Sequence, residues 1–229
     1  LCWASLDVLD YPHVRRRSIN YSGSPPLILT YVDNQQNTVG SGATHPGMNF
    51  GPANPKRYLI AAIGIVSSSS AITSVTIGGV TATQLVAVVS SFGSVRTAFF
   101  IAAVPTGTSG DVTVNAGSGG VSSVALYSVV NLQSATPVAT ASNFGSSPLS
   151  MSLNGTNGGF ILASAYMSGS PGVSAAWTGL TTVDLNKQFG GGAQQHSAGQ
   201  LIVTSSGSKS LSVTLSGTNA FSCAAISLR

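Results

Sequence analysis

Few side chains in this sequence can do acid–base or nucleophilic work. The 229 residues include three histidines (His13, His45, His196), two cysteines (Cys2, Cys223) and no glutamate. The acids are Asp7, Asp10, Asp33, Asp111 and Asp184. A serine hydrolase needs a nucleophile, a histidine to activate it and an acid to orient the imidazole. His196 and Asp184 are near in sequence and serines are plentiful, but no GxSxG elbow occurs. His196 falls in GGGAQQHSAG, which reads as an exposed Gly/Gln-rich loop. A glycosidase needs two carboxylates across a cleft. Two aspartates fall in residues 1–24, which leaves one pair among Asp33, Asp111 and Asp184, and Asp111 reads as an ordinary turn residue. The histidines lack the spacing of metal ligands, and Asp33 with Asn34 and Asn37 is a poor calcium cluster. Asn20-Tyr21-Ser22 and Asn154-Gly155-Thr156 match the glycosylation sequon, a pattern common by chance. The residues therefore predict no catalytic centre, no metal and no cofactor. One polar group remains as a candidate glycan contact: Trp177, Gln194, Gln195 and His196. The competing reading makes Trp177 a core residue and the glycines a loop tip.

The elements that must position these residues are strands. SVTIGGVTATQL, residues 74–85, places two short β-prone runs around Gly78-Gly79, the signature of a hairpin whose tight turn needs positive φ. Strands follow from alternation or apolar runs at 27–32, 57–66, 96–104, 111–115 and 124–130. The nearly continuous run at 57–66 is that of a strand covered on both faces. Residues 33–56 read as a long loop with one short strand near 48–50. The second half echoes the first at a spacing of roughly 100 residues. Phe160–Tyr166 matches Leu59–Ile65, Trp177-Thr178-Gly179-Leu180 falls at the hairpin, Gln200–Thr204 answers Phe99–Ala103, and Lys209–Leu215 answers Gly110–Asn115. Cys223–Leu228 answers Val124–Val129. Residues 133–148 read as a connection from one sheet to the other, with neither half able to close its own core. The predicted fold is an all-β antiparallel sandwich of jelly-roll type, in two related halves, forming one domain over residues 25–229.

Composition narrows the partners. Hydrophobic residues make up 43% of the chain and charged ones only 6%, so the surface must be solvated by Ser, Thr, Asn and Gln. Uncharged sheet edges are an aggregation hazard unless neighbours cover them. The net charge of +4 is concentrated in Arg15, Arg16 and Arg17, not spread over a face as in nucleic-acid binders. The longest apolar run, Tyr58–Val66, is too short to cross a bilayer. Cys223, in an apolar strand, reads as a buried inert thiol that does not pair with Cys2.

Residues 1–24 read as an extended N-terminal arm without a steady period, ended by Pro25-Pro26. Trp3, Tyr11, Tyr21 and Arg15–Arg17 supply anchor area and carboxylate-seeking charge. Such an arm gains order only against another surface, a neighbouring subunit or a shell.

The strings TSVTIGGVTAT (73–83), FFIAAVPTGTSGDVTV (99–114), VALYSVVNLQSATPVATAS (124–142) and the later WTGL resemble a β-sandwich family of alphaproteobacterial bacteriophages and prophages. In outline the similarity covers residues 27–229, and its motifs are structural. The resemblance implies a non-enzymatic virion protein on the particle surface, as capsid decoration or head spike. The alternative is a tail-fibre or receptor-binding module that contacts a host glycan. The partners then expected are capsid or tail proteins of the same virion and further copies of the chain, as a trimer or ring.

Overall fold

The computed structural model describes residues 25–39, 42–67, 71–90, 94–116, 120–169, 172–189, 192–216 and 220–229. The arm residues Trp3, Tyr11, Arg15, Arg16, Arg17 and Tyr21 lie outside them, as does Cys2. Seventeen strands follow one another, and no α-helix occurs among the described residues. The first half contains β1 (Ile28–Val39), β2 (Gly42–Asn49), β3 (Arg57–Ser67), β4 (Ile72–Ile77), β5 (Val80–Thr81), β6 (Thr83–Val89), β7 (Val95–Ala103), β8 (Ser109–Ala116) and β9 (Gly120–Val130). The second contains β10 (Ala139–Phe144), β11 (Leu149–Gly155), β12 (Gly159–Ser168), β13 (Ala175–Thr178), β14 (Thr182–Phe189), β15 (Gln194–Val203), β16 (Gly207–Leu215) and β17 (Ala220–Leu228).

The expected antiparallel sandwich is present, and it is present twice. In the first half a sheet of order β1-β9-β3-β7-β6 packs on one of order β2-β8-β4-β5. In the second, β10-β17-β12-β15-β14 packs on β11-β16-β13, which is the same order except that β5 has no counterpart. Each half closes a core of its own. Leu59, Ile63, Phe100 and Leu126 meet Met48, Val75, Ile77 and Val114 in the first. Ile161, Met167, Phe221 and Cys223 meet Leu149, Met151, Leu211 and Val213 in the second. This corrects the expectation that neither half could do so. The two larger sheets then pack on each other through a third cluster that includes Ile60, Phe99, Tyr127, Phe160, Leu162 and Ile226. The molecule is thus four layers deep, with two inner sheets and two outer ones.

This layering explains the strand patterns. Inner strands are covered on both faces, so β3 and β12 carry apolar residues at nearly every position, as the run at 57–66 predicted. Outer strands are covered on one face and alternate. In β11 Leu149, Met151 and Leu153 are buried while Ser150, Ser152 and Asn154 are exposed. Gly78 and Gly79, at φ of 59° and 79°, form the hairpin turn between β4 and β5. The second leg is shorter than expected. Only Val80 and Thr81 pair with β4, and the chain then crosses at Ala82 to the inner sheet as β6.

Two segments read as irregular are strands. Residues 33–56 hold most of β1 and all of β2, and residues 133–148 contain β10. Both lack apolar alternation because β1 and β10 are edge strands whose amides serve the neighbouring sheet. Gln35 Nε2 and Asn37 Nδ2 donate to the carbonyls of Pro46 and Thr44 on β2. Asn143 Nδ2 donates in the same way to Ser150 O on β11, at 2.9 Å. These bonds cap the outer sheets' edges, where unpaired carbonyls would otherwise recruit another chain.

Face assignment also corrects the internal register. Leu59 faces its own half's core, and its counterpart by face and pairing is Ile161, not Phe160, which faces the central cluster. A slip of one residue swaps the faces of a strand, so the match by eye of Phe160 to Leu59 inverted them. In the corrected register Gly64 stands where the second half has Tyr166, and the two meet across the central face. A Cβ on Gly64 would lie 1.9 Å from Tyr166 Cδ2. Gly64→Ala should therefore cost roughly 1–3 kcal/mol by overpacking, read as a lower urea midpoint at unchanged m value. Adding Tyr166→Val should recover part of the loss. Purely additive effects would show that the two sites are uncoupled.

Candidate functional site

The polar residues singled out in the sequence converge between the sandwiches. His196 lies on β15 in an inner sheet, and its relative exposure is 0%. The exposed-loop reading of GGGAQQHSAG is thus corrected, because its residues from Gln194 onward belong to β15. The string hid a strand because its buried face carries an imidazole, an amide and hydroxyls where apolar residues are expected.

Both ring nitrogens of His196 are bonded. Nδ1 lies 2.9 Å from Ser123 Oγ on β9 of the other half, and Nε2 lies 2.9 Å from Ser164 Oγ on β12. The Tyr166 ring stands edge-on, with centroids 5.6 Å apart. Across the approximate two-fold, Thr97 occupies the position of His196 and Ser222 that of Ser123. Thr97 Oγ1 is 2.8 Å from Ser222 Oγ and donates to Ser222 O at 3.0 Å. A belt of reciprocal polar bonds therefore runs through the apolar central face. The His196 Nδ1 and the Thr97 hydroxyl find their partners in the opposite half, so the belt fixes the alignment of the two halves.

Hydroxyl–imidazole distances of 2.9 Å are those of a nucleophile and its base. Here Ser123, Ser164 and His196 are all fully buried. Asp184 does not orient the ring. It sits at a β-bulge in β14, where Gln200 Nε2 donates to both carboxylate oxygens at 3.0 and 3.2 Å. Burial raises its carboxyl pKa against the opposing effect of that amide. Asp111 Oδ1 accepts from Gly47 N at 2.9 Å, and the Asp33 oxygens accept from Asn34 N and Asn49 N at 2.7 and 2.8 Å. Asp33 and Asp111 thus hold backbone amides, and Asp184 holds the side chain of Gln200. Among the described residues no three His, Cys, Asp or Glu side chains gather as metal ligands would.

The candidate glycan contact is turned inward. Trp177 on β13 is half-buried, and its Nε1 donates to Ser197 Oγ at 2.9 Å. Gln194 Oε1 accepts from Gln36 Nε2 and from Tyr166 OH, each at 3.3 Å. Gln195 is 3% exposed and donates to Asn186 Oδ1. The structure brings these four residues close together, but as internal struts. Gln195 and His196 are out of reach of a surface ligand, so their proposed glycan contact is corrected.

Arg57 carries no chemical motif and went unweighed in the sequence. It is 1% exposed, and its five N–H groups reach six carbonyls at 2.7–3.3 Å, those of Val104, Phe50, Gly51, Pro52, Thr106 and Gly107, with three of them sharing the two hydrogens of Nη1. One guanidinium thereby pins two loops at the end of the first sandwich. Its only forewarning was an arginine opening an apolar strand. Cys223 is free and buried, as expected, and burial pushes its thiol pKa up to about 12.

The fold and its sealed polar centre define an all-β protein of two face-to-face antiparallel sandwiches with one repeated topology. No protein-family model, curated protein or solved structure matches the chain.

Acid should weaken this centre. Burial lowers His196 to about 3 and His45 to about 4 from the ordinary value of 6.5. His45 Nε2 lies 2.9 Å from Ser122 Oγ, and its Nδ1 is sealed without a partner. A serine oxygen can accept from an imidazolium, so lost water, not a lost bond, depresses the His196 pKa. The folded values lie below the unfolded one. The stabilisation is therefore complete above 6.5 and is lost as pH falls toward 4 for His45 and 3 for His196. Each histidine should contribute about 1.4 kcal/mol per pH unit inside its window. Urea midpoints measured from pH 7 to pH 4 should show this slope, and His196→Gln should remove about half of it. An unchanged slope in that variant would mean that other groups govern the acid limit.

Proposed function

We propose that the chain is a non-enzymatic structural protein of a bacteriophage virion, placed on the particle surface as capsid decoration or head spike. The reading begins from the resemblance of residues 27–229 to phage and prophage β-sandwich proteins. The observation that carries it is the dress of the outer sheets. Ser150 pairs with Ser212 and Ser152 with Ser210, and Ser152 Oγ is 2.8 Å from Ser208 Oγ. On the other outer sheet Thr113 pairs with Thr44 and Thr76, and Thr44 Oγ1 is 3.3 Å from Thr113 Oγ1. Such neutral hydroxyl ladders let copies stand side by side without like-charge repulsion, whatever the ionic strength. Apart from the hairpins β4–β5, β6–β7 and β14–β15, successive strands of each half cross from one sheet to the other, which supports reading each half as a jelly roll. In this reading several copies assemble, as a trimer or ring, and the arm attaches to capsid or tail proteins. The inward turn of Trp177 and Gln194 favours the structural role over a sugar-binding one.

Quantitative mass spectrometry of purified particles from a host carrying this sequence tests the proposal. Decoration predicts hundreds of copies per particle, retained through a wash of about 1 M salt. A handful of copies would exclude decoration and leave a head spike or a tail fibre, and absence from particles would overturn the virion role.

A further inference from the structure

The two halves act as controls for each other, and one flank differs between them. In the second half the flank between β14 and β13 is latched. Asn186 Nδ2 donates to Ala175 O at 3.1 Å, Gln188 Nε2 donates to Val173 O, Gln195 donates to Asn186, and Trp177 donates to Ser197. The same flank of the first half lies between β6 and β4. There Ala87 pairs with Ala98 as Asn186 pairs with Ser197, and Val89 pairs with Arg96 as Gln188 pairs with Gln195. Alanine and valine thus stand where the latching amides stand, and they have nothing to donate. What remains is a groove of about 190 Å3 lined by Ile72, Gln84, Ala87, Val88, Val89 and Arg96. Among the described residues β6 borders it as the unpaired edge of an inner sheet, with no charged residue from Thr83 to Val89. Arg96 Nε is sealed from solvent and has no hydrogen-bond partner.

Three features describe the occupant: a free strand edge, an apolar trough and, at one end, a half-buried arginine whose Nε lacks a partner. They fit an extended peptide that adds to β6, lays apolar side chains in the trough and brings a carboxylate to Arg96. The chain's own carboxylates narrow the choice. Asp33, Asp111 and Asp184 are engaged in the bonds described above, which leaves Asp7 and Asp10 among the five aspartates. In Ser5–Tyr11, SLDVLDY, alternate positions put Asp7, Leu9 and Tyr11 on one side of an extended strand. Every ladder among the described residues is antiparallel. Run antiparallel to β6, that side sets Asp7 at the Val89 end beside Arg96 and Leu9 opposite Ala87.

We infer that residues 5–11 of this chain dock as an added strand on β6, with the Asp7 carboxylate on Arg96. The inference holds whether or not the protein belongs to a virion. It is tested in the full chain by disulfide trapping on a Cys2→Ser background. Leu9→Cys is combined with Ala87→Cys, an exposed position, or with the control Lys187→Cys on the latched flank. Mild oxidation should trap the Leu9–Ala87 pair at least tenfold more than the control, and Arg96→Gln or Asp7→Asn should lower that yield severalfold. The mass of the product tells whether the segment comes from the same chain or a second copy. Equal trapping at the two flanks, or a yield indifferent to Arg96→Gln, would overturn the inference.

Discussion

The inner sheets must be covered on both faces, and the rest of the molecule follows from that constraint. A sheet whose strands are apolar at nearly every position has no face to offer water. One face of each is met by its own outer sheet and the other by its twin. Each fully buried Leu, Ile or Phe in these layers contributes about 1.5–3 kcal/mol, so separating the halves would forfeit the whole central cluster. The outer sheets can then be thin, alternating and hydroxyl-clad, because they shield one core each and do nothing else.

Within the central face, specificity comes from few atoms. Apolar surfaces alone would tolerate sliding. The pairs Thr97–Ser222 and Ser123–His196 admit one alignment, since a shifted partner would leave a hydroxyl or an imidazole buried without a bond. Gly64 beneath Tyr166 imposes the same alignment by shape. The duplication also allowed divergence: where one half placed Thr97 the other placed His196, and where one has Arg57 holding loop carbonyls the other has Gly159.

The parts legible in the sequence were those governed by local rules. The Gly78-Gly79 turn, the alternation of β8 and β16 and the two-sided run of β3 each follow from backbone sterics or a simple period. The continuation of β1 past residue 32, β10 and the start of β15 were not legible, because their side chains answer to neighbours distant in sequence. Asn37, Asn143, Gln195 and His196 are polar for reasons that exist only once the sheets have met. The same cause hid the candidate site. His196 looked like a surface histidine because nothing local marks Ser123 and Ser164 as its partners. The repeat was visible, but its register was not, since parity of faces cannot be read where every position is apolar.

The chain passes between the halves once, through residues 131–138. Everything the first core requires lies before that crossing, so as the chain is synthesised the first sandwich is complete while the second is still unmade. In that interval it displays Ile60, Phe99, Ile101, Tyr127 and Val129 to solvent. A nascent first half is therefore adhesive, and two of them on neighbouring ribosomes present each other with a counterfeit of the missing twin. The tempo of translation past residue 160, more than the stability of the finished protein, sets how often that wrong partnership forms.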